Sequence, residues 1–155
     1  MVKTERMSIK DFSDLYHAKQ CEGTSLPAAY VPRKKFSDSS ANALTDLVIE
    51  FINYNGGYAR RISVEGRTIA GKKFTNVMGE TKQLPSKRIK SSMTKGSSDI
   101  SCIYKGQALE VEVKFGRDKL SEAQLNYAER VRESGGFYIV ARDFAQFHDR
   151  YGNTV

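Results

Sequence analysis

The chain has 155 residues, with 25 Lys plus Arg against 18 Asp plus Glu and a formal charge of +7. That length predicts one domain with a real core, and the basic balance points to a polyanionic partner. Cys21 and Cys102 are too few and too far apart for a disulfide or zinc scaffold, and no apolar run is long enough for a membrane span or signal peptide, so a reducing, cytoplasmic setting without a membrane partner is expected.

Residues 1–40 read as an N-terminal arm of unknown role. Asp11 to Lys19 is compatible with a short helix, while Pro27, Pro32 and Arg33-Lys34-Lys35 suggest an extended basic stretch. His17 and Cys21 stand four apart without further ligands and are taken as structural. Residues 41–155 read as the domain proper. Leu44, Leu47, Val48, Phe51 and Ile52 form one apolar stripe at helical spacing, which predicts a helix over 41–55. Asp38, Ser39 or Ser40 supplies its N-cap and Gly56-Gly57 ends it. Asp46 and Glu50 fall nearly opposite the stripe and are expected to be solvated.

Tyr58 to Val64 reads as a strand bearing Arg60 and Arg61. Residues 65–95 are rich in Gly, Lys and Ser, without clear periodicity, and predict a loop or a short extra hairpin. Residues 58–96 hold ten basic side chains against Glu65 and Glu80, whereas residues 97–155 are near neutral. The basic segment directly precedes the cluster of Asp99 and Glu112, as expected if a polyanion is brought to a metal site.

Ile100 to Tyr104 and Ala108 to Lys114 alternate in character around Lys105-Gly106, a strand, tight turn, strand signal. With those two residues as the loop, Asp99 lies across from Glu112, their Cβ atoms about 4.5–5.5 Å apart. Lys114 projects from the same face, about 7 Å farther along. Ile100, Cys102, Leu109, Val111 and Val113 fall on the other face, and a one-residue slip would split both sets. Two facing carboxylates with a neighbouring ammonium suit a hard divalent cation and a phosphate. A cross-strand charge cluster on a surface hairpin is the plain alternative.

Leu120 to Gly136 predicts a helix, with Ser121 and Gln124 as a capping box and Leu120 with Leu125 as a hydrophobic staple. Leu125, Ala128 and Val131 are expected to be its buried face. Phe137 to Ala141 reads as a buried strand, and Asp143 as the cap of a last short helix reaching His148. The resulting α/β order, αβββαβ followed by a helix, predicts a mixed sheet of about four strands flanked by helices. A right-handed crossover would join its third and fourth strands in parallel.

Gly96-Ser97-Ser98-Asp99, Glu112-Val113-Lys114, Gly116-Arg117, Leu120-Ser121-x-x-Gln124 and Gly135-Gly136-Phe137-Tyr138 form an ordered series. In that order, over roughly residues 42–148, the chain resembles the PD-(D/E)XK nuclease superfamily, and specifically its VRR-NUC branch. The resemblance implies a restriction-endonuclease-like core and a divalent-metal-dependent endonuclease acting on DNA. Catalysis would rest on Asp99, Glu112, Lys114 and Gln124. Mg²⁺ or Mn²⁺ would be held by Asp99, Glu112 and the Val113 carbonyl. Arg60, Arg61, Arg67, Lys72, Lys73, Lys95 and Arg117 are expected to grip nucleic-acid phosphates, giving salt-sensitive, sequence-independent binding.

The sequence departs from the family's pattern twice. Gly-x-Pro-Asp appears as Gly-Ser-Ser-Asp, and the glutamate that many members carry early in the first helix is replaced by Ala41-Asn42-Ala43. Asn42 offers a neutral oxygen there as a further ligand. With no recognisable groove-reading helix, a junction, flap or nick is the expected substrate, and symmetrical cutting of a junction would favour a homodimer. A catalytically impaired nucleic-acid-binding module on the same fold is the rival reading.

Overall fold

Lys105 and Gly106 both adopt positive φ, 47° and 80°. That is the two-residue turn whose twist matches a right-twisted hairpin. It sets β6 (Ile100–Tyr104) against β7 (Gln107–Val113), with Ile100 opposite Val111 and Tyr104 opposite Gln107. The expected register is therefore the observed one.

The computed structural model describes residues 7–62, 67–89 and 94–154. The central sheet runs β1 (Tyr58–Arg61), β6, β7, β8 (Phe137–Ala141). β1 and β6 are antiparallel, as are β6 and β7, whereas β7 and β8 are parallel and joined through a helix. β1 is shorter than its sequence expectation, and Ser63 and Val64 lie outside the described residues, as does Lys90. The architecture is a mixed α/β fold, a four-stranded mixed sheet with helices on it.

α2 (Ala41–Tyr54) forms where its apolar stripe predicts, and Ser40 accepts the Ala43 N–H as N-cap. Its buried stripe, with α4 (Phe144–Thr154), covers the sheet face carrying Ile100, Cys102, Leu109, Val111, Val113 and Ile139. Burying each such side chain contributes about 1.5–3 kcal/mol. α4 runs past the expected stop at His148, because Tyr151 continues the stripe of Phe144 and Phe147 into the core. Asp38 accepts the Phe144 N–H at 3.2 Å, so a residue expected to serve α2 serves α4.

Residues 1–40 are not a detached arm where they are described. α1 (Ile9–Glu22), capped by Ser8, inserts Phe12 into the core at 0% exposure, among Phe36, Phe51, Tyr54 and Phe144. Two residues of the basic triplet are tied down too. Arg33 meets Asp14 at 2.7 Å, and Lys34 pairs with Glu50. Glu50 also accepts the Tyr16 hydroxyl at 3.0 Å, so it is an anchor rather than a solvated charge.

α3 (Glu122–Glu133) lies on the opposite sheet face, with its capping box formed as expected between Ser121 and Gln124. Ala128 is buried there, but Leu125 is 53% exposed and belongs to no buried stripe. The side chains that α3 turns to the sheet are instead Gln124, Tyr127 and Ala128.

Residues 67–89 pair as a nested ribbon, with β2 (Arg67–Ile69) on β5 (Lys87–Ile89) and β3 (Lys73–Thr75) on β4 (Thr81–Gln83). Neither pair joins the central sheet.

Candidate active site

β6 ends where the chemistry begins. Extending its ladder one step past Ile100 opposite Val111 sets Asp99 across from Glu112. Asp99 Oδ2 accepts the Val113 N–H at 2.9 Å, and the Asp99 carbonyl accepts the Ile62 N–H at 2.7 Å. The aspartate is thus held from both neighbouring strands. An extended residue directs its N–H and C=O to the same side, so the Val113 carbonyl also turns toward Asp99.

Glu112 is 2% exposed. Its Oε1 receives Lys114 Nζ at 3.0 Å and the Gln124 side-chain amide. Its Oε2 is buried and has no hydrogen-bond partner among the described residues. A buried carboxylate oxygen left without a partner costs about 1–3 kcal/mol or more, and one that is retained calls for an occupant. Burial raises the Glu112 carboxyl above its ordinary value. Lys114 opposes the rise, and the Asp99 charge adds to it. A cation beside Oε2 would remove both the burial cost and the repulsion.

The donor set fits a hard divalent ion. No three His, Cys, Asp or Glu side chains converge as ligands among the described residues. The protein would therefore give two carboxylates and the Val113 carbonyl, leaving positions for water and phosphate.

Gln124 does two jobs with its two ends. Its Oε1 accepts the Ser121 N–H at 2.9 Å in the capping box, while its amide donates to Glu112. The loop that carries Asp99 abuts the same helix turn. Gly96, at φ 85°, lies so close to α3 that a Cβ there would sit 2.3 Å from the Ala123 carbonyl oxygen. Only glycine permits that approach with that backbone. Ser98, fully buried, donates its one hydroxyl proton to Glu110, with the Ile100 carbonyl also 3.0 Å from its Oγ, and Ser101 donates to Glu110 at 2.8 Å.

The remaining expected residues divide. Arg60 sits opposite Ser101, on the sheet side that carries Glu110 and Glu112. Arg61 donates to the Asn42 side-chain oxygen at 2.5 Å, so a guanidinium already shares the one oxygen that the start of α2 offers. Arg67 opens β2, and Lys72 and Lys73 are exposed on the ribbon. Lys95 is exposed in the turn before Gly96, and Arg117 in the loop after β7. Arg142 steadies that loop through the carbonyls of Gly116 at 3.4 Å and Asp118 at 2.9 Å.

Two residues beside the site were not singled out by sequence. Glu110 precedes Glu112 by two on the same face, and Tyr138 lies across from it on β8. The Tyr138 hydroxyl is buried without a hydrogen-bond partner among the described residues, and burial, with the charges of Glu112 and Asp99, pushes its pKa up. Strand parity was the available signal, since residues opposite a site face share it.

A scan against protein-family models gave no match for this chain, and a search of the curated proteins gave none either. Among the described residues, no helix is long and apolar enough to cross a membrane.

Proposed function

We propose that the chain is a divalent-metal-dependent endonuclease that hydrolyses DNA phosphodiester bonds on a restriction-endonuclease-like core. Selection would be for DNA structure rather than sequence. The observation that carries this reading is Glu112. It is sealed from water, with one oxygen held by Lys114 and Gln124, the other without a partner among the described residues, and Asp99 across the strand. When bound, Mg²⁺ or Mn²⁺ would supply Lewis-acid polarisation of the phosphate and activation of water. Asp99, Glu112 and the Val113 carbonyl would hold the ion. Lys114, 13% exposed, would donate to charge developing on a phosphate oxygen or orient the attacking water. Gln124 fixes the Glu112 rotamer, and the basic flanks place the backbone.

One observation favours a second reading, a binding module without cleavage. The start of α2 provides no carboxylate, and Arg61 occupies the oxygen of Asn42. A cleavage panel separates the two readings. It would contain duplex, single strand, flap, four-way junction and supercoiled plasmid, each with Mg²⁺, Mn²⁺ or EDTA. Metal-dependent cutting that disappears in Glu112→Ala and Lys114→Ala supports the nuclease. Retained binding with no cutting under any metal supports the module.

A further inference from the structure

The ribbon of residues 67–89 ends in a tightly built turn. The Asn76 side-chain oxygen accepts the N–H groups of Met78 at 3.0 Å and Glu80 at 2.9 Å, and its amide donates to Glu80 Oε2 at 3.0 Å. The Asn76 N–H donates to the Glu80 carbonyl, the Gly79 N–H donates to the Asn76 carbonyl, and Gly79 takes φ 79°. The two residues that this scaffold presents at the tip are apolar. Val77 is 105% exposed and Met78 84%. Turn tips ordinarily carry Gly, Asn, Asp or Ser, and two large apolar side chains held wholly in water gain nothing from folding.

The flanks carry six basic residues, Arg67, Lys72, Lys73, Lys82, Lys87 and Arg88, and one acid, Glu80. Glu80 is itself engaged by Asn76 and Lys82. An apolar tip on a basic two-stranded ribbon matches the chemistry of arms that run along DNA phosphates and insert apolar wedges between base steps.

We propose that residues 67–89 are a DNA-wedging arm. Its lysines and arginines lie along the backbone of a duplex while Val77 and Met78 enter a base step at an interruption in the stack. The proposal rests on the reading that the partner is nucleic acid, and it names how a branched duplex is preferred over a continuous one. Unstacking costs a few kcal/mol per step in continuous DNA and least where pairing is already broken. The wedge therefore returns most of its burial at a branch. Val77 lies five residues beyond Lys72, roughly 17 Å of extended strand.

The test uses the full chain in EDTA, so that no cutting occurs, with fluorescence anisotropy on a four-way junction and on a continuous duplex. Val77→Ser/Met78→Ser should weaken junction binding about tenfold or more, while changing duplex binding less than about twofold. 2-Aminopurine beside the branch should brighten with the wild type and stay dark with the variant. Lys72→Gln/Lys73→Gln should weaken both DNAs alike and flatten the salt dependence by about two phosphate contacts. If the wild type binds DNA but the tip variant keeps its junction preference, the wedge is overturned and the nuclease reading stands. If the wild type binds no nucleic acid, both fall. A tip variant that turns a dimer into a monomer in sedimentation, with DNA affinity unchanged, would make the tip a self-association surface and overturn the wedge.

Discussion

Gln124 offers the sharpest separation of structure from chemistry, because its oxygen caps α3 and its nitrogen holds Glu112. Gln124→Ala removes both contacts. Ser121 keeps its own bond to the backbone N–H of residue 124, so loss of the other half of the capping box costs about 0.5–1 kcal/mol, and loss of a hydrogen bond to a charged group about 1.5–3 kcal/mol. The expected destabilisation is thus about 2–4 kcal/mol, with the thermal midpoint falling about 2–4 °C for each kcal/mol in a chain of this size. Gln124→Glu keeps an acceptor for Ser121 and places a negative charge in the first helical turn, where the helix favours it. It has no N–H for Glu112, and it sets a third carboxylate against the site. Its stability loss should therefore shrink when Mg²⁺ is added, whereas that of Gln124→Ala should not. Both variants should cut at least about tenfold more slowly, a change of 1.4 kcal/mol in barrier. Urea unfolding by circular dichroism, with and without Mg²⁺, and single-turnover cleavage measure the two effects. A Gln124→Ala protein within about 0.5 kcal/mol of wild type, or a Gln124→Glu protein cutting at the wild-type rate, would refute the dual role.

Three further outcomes follow from packing and burial. Phe12→Ala should cost about 3–5 kcal/mol in urea unfolding, because Phe12 sits at the centre of an aromatic cluster; a loss below about 1 kcal/mol would mean that α1 does not belong to the core. Cys102 is buried, donates to the Leu109 carbonyl, and has its thiol pushed up to about 12 by burial and by the Glu110 charge. Iodoacetamide at neutral pH should therefore label Cys21 alone in the native protein and both cysteines in denaturant, as peptide mass spectrometry would show. Glu112 holds its proton to higher pH in the folded state than in the unfolded chain. The metal-free wild type should thus lose stability relative to Glu112→Gln as pH rises from the ordinary glutamate range through the raised value, and Mg²⁺ should reverse that trend. A difference that is flat in pH, from paired urea curves, would sink this point.

The hairpin and the helix after it were legible because several local rules agreed on them. Alternation, a two-residue turn and one apolar face fixed the register that places Asp99 across from Glu112, and Ser121 with Gln124 announced the start of α3. α2 was equally plain from its stripe. Leu125 misled because helical spacing weighs apolar residues alone, and the side of α3 facing the sheet is lined by Gln124 and Tyr127, which serve the site and the face around it. Phe12 was hidden for the opposite reason, since a polar helix contributes one central ring that tertiary packing from three other segments makes decisive. The ribbon of residues 67–89 has no apolar face and no alternation, so nothing in the sequence pairs Phe74 with Lys82 or Ile69 with Lys87. Asn42 looked like a spare oxygen until the fold brought Arg61 to it.

The proposed nuclease needs Asp99 and Glu112 to hold the divalent cation on which cleavage depends. A Mn²⁺ titration followed by electron paramagnetic resonance, on the wild type and on Asp99→Asn/Glu112→Gln, tests it directly. Saturable binding is expected in the wild type, with affinity lower by at least about a hundredfold in the variant and an unchanged circular dichroism spectrum. Equal Mn²⁺ affinity in both proteins, or DNA cutting that persists in EDTA, would contradict it.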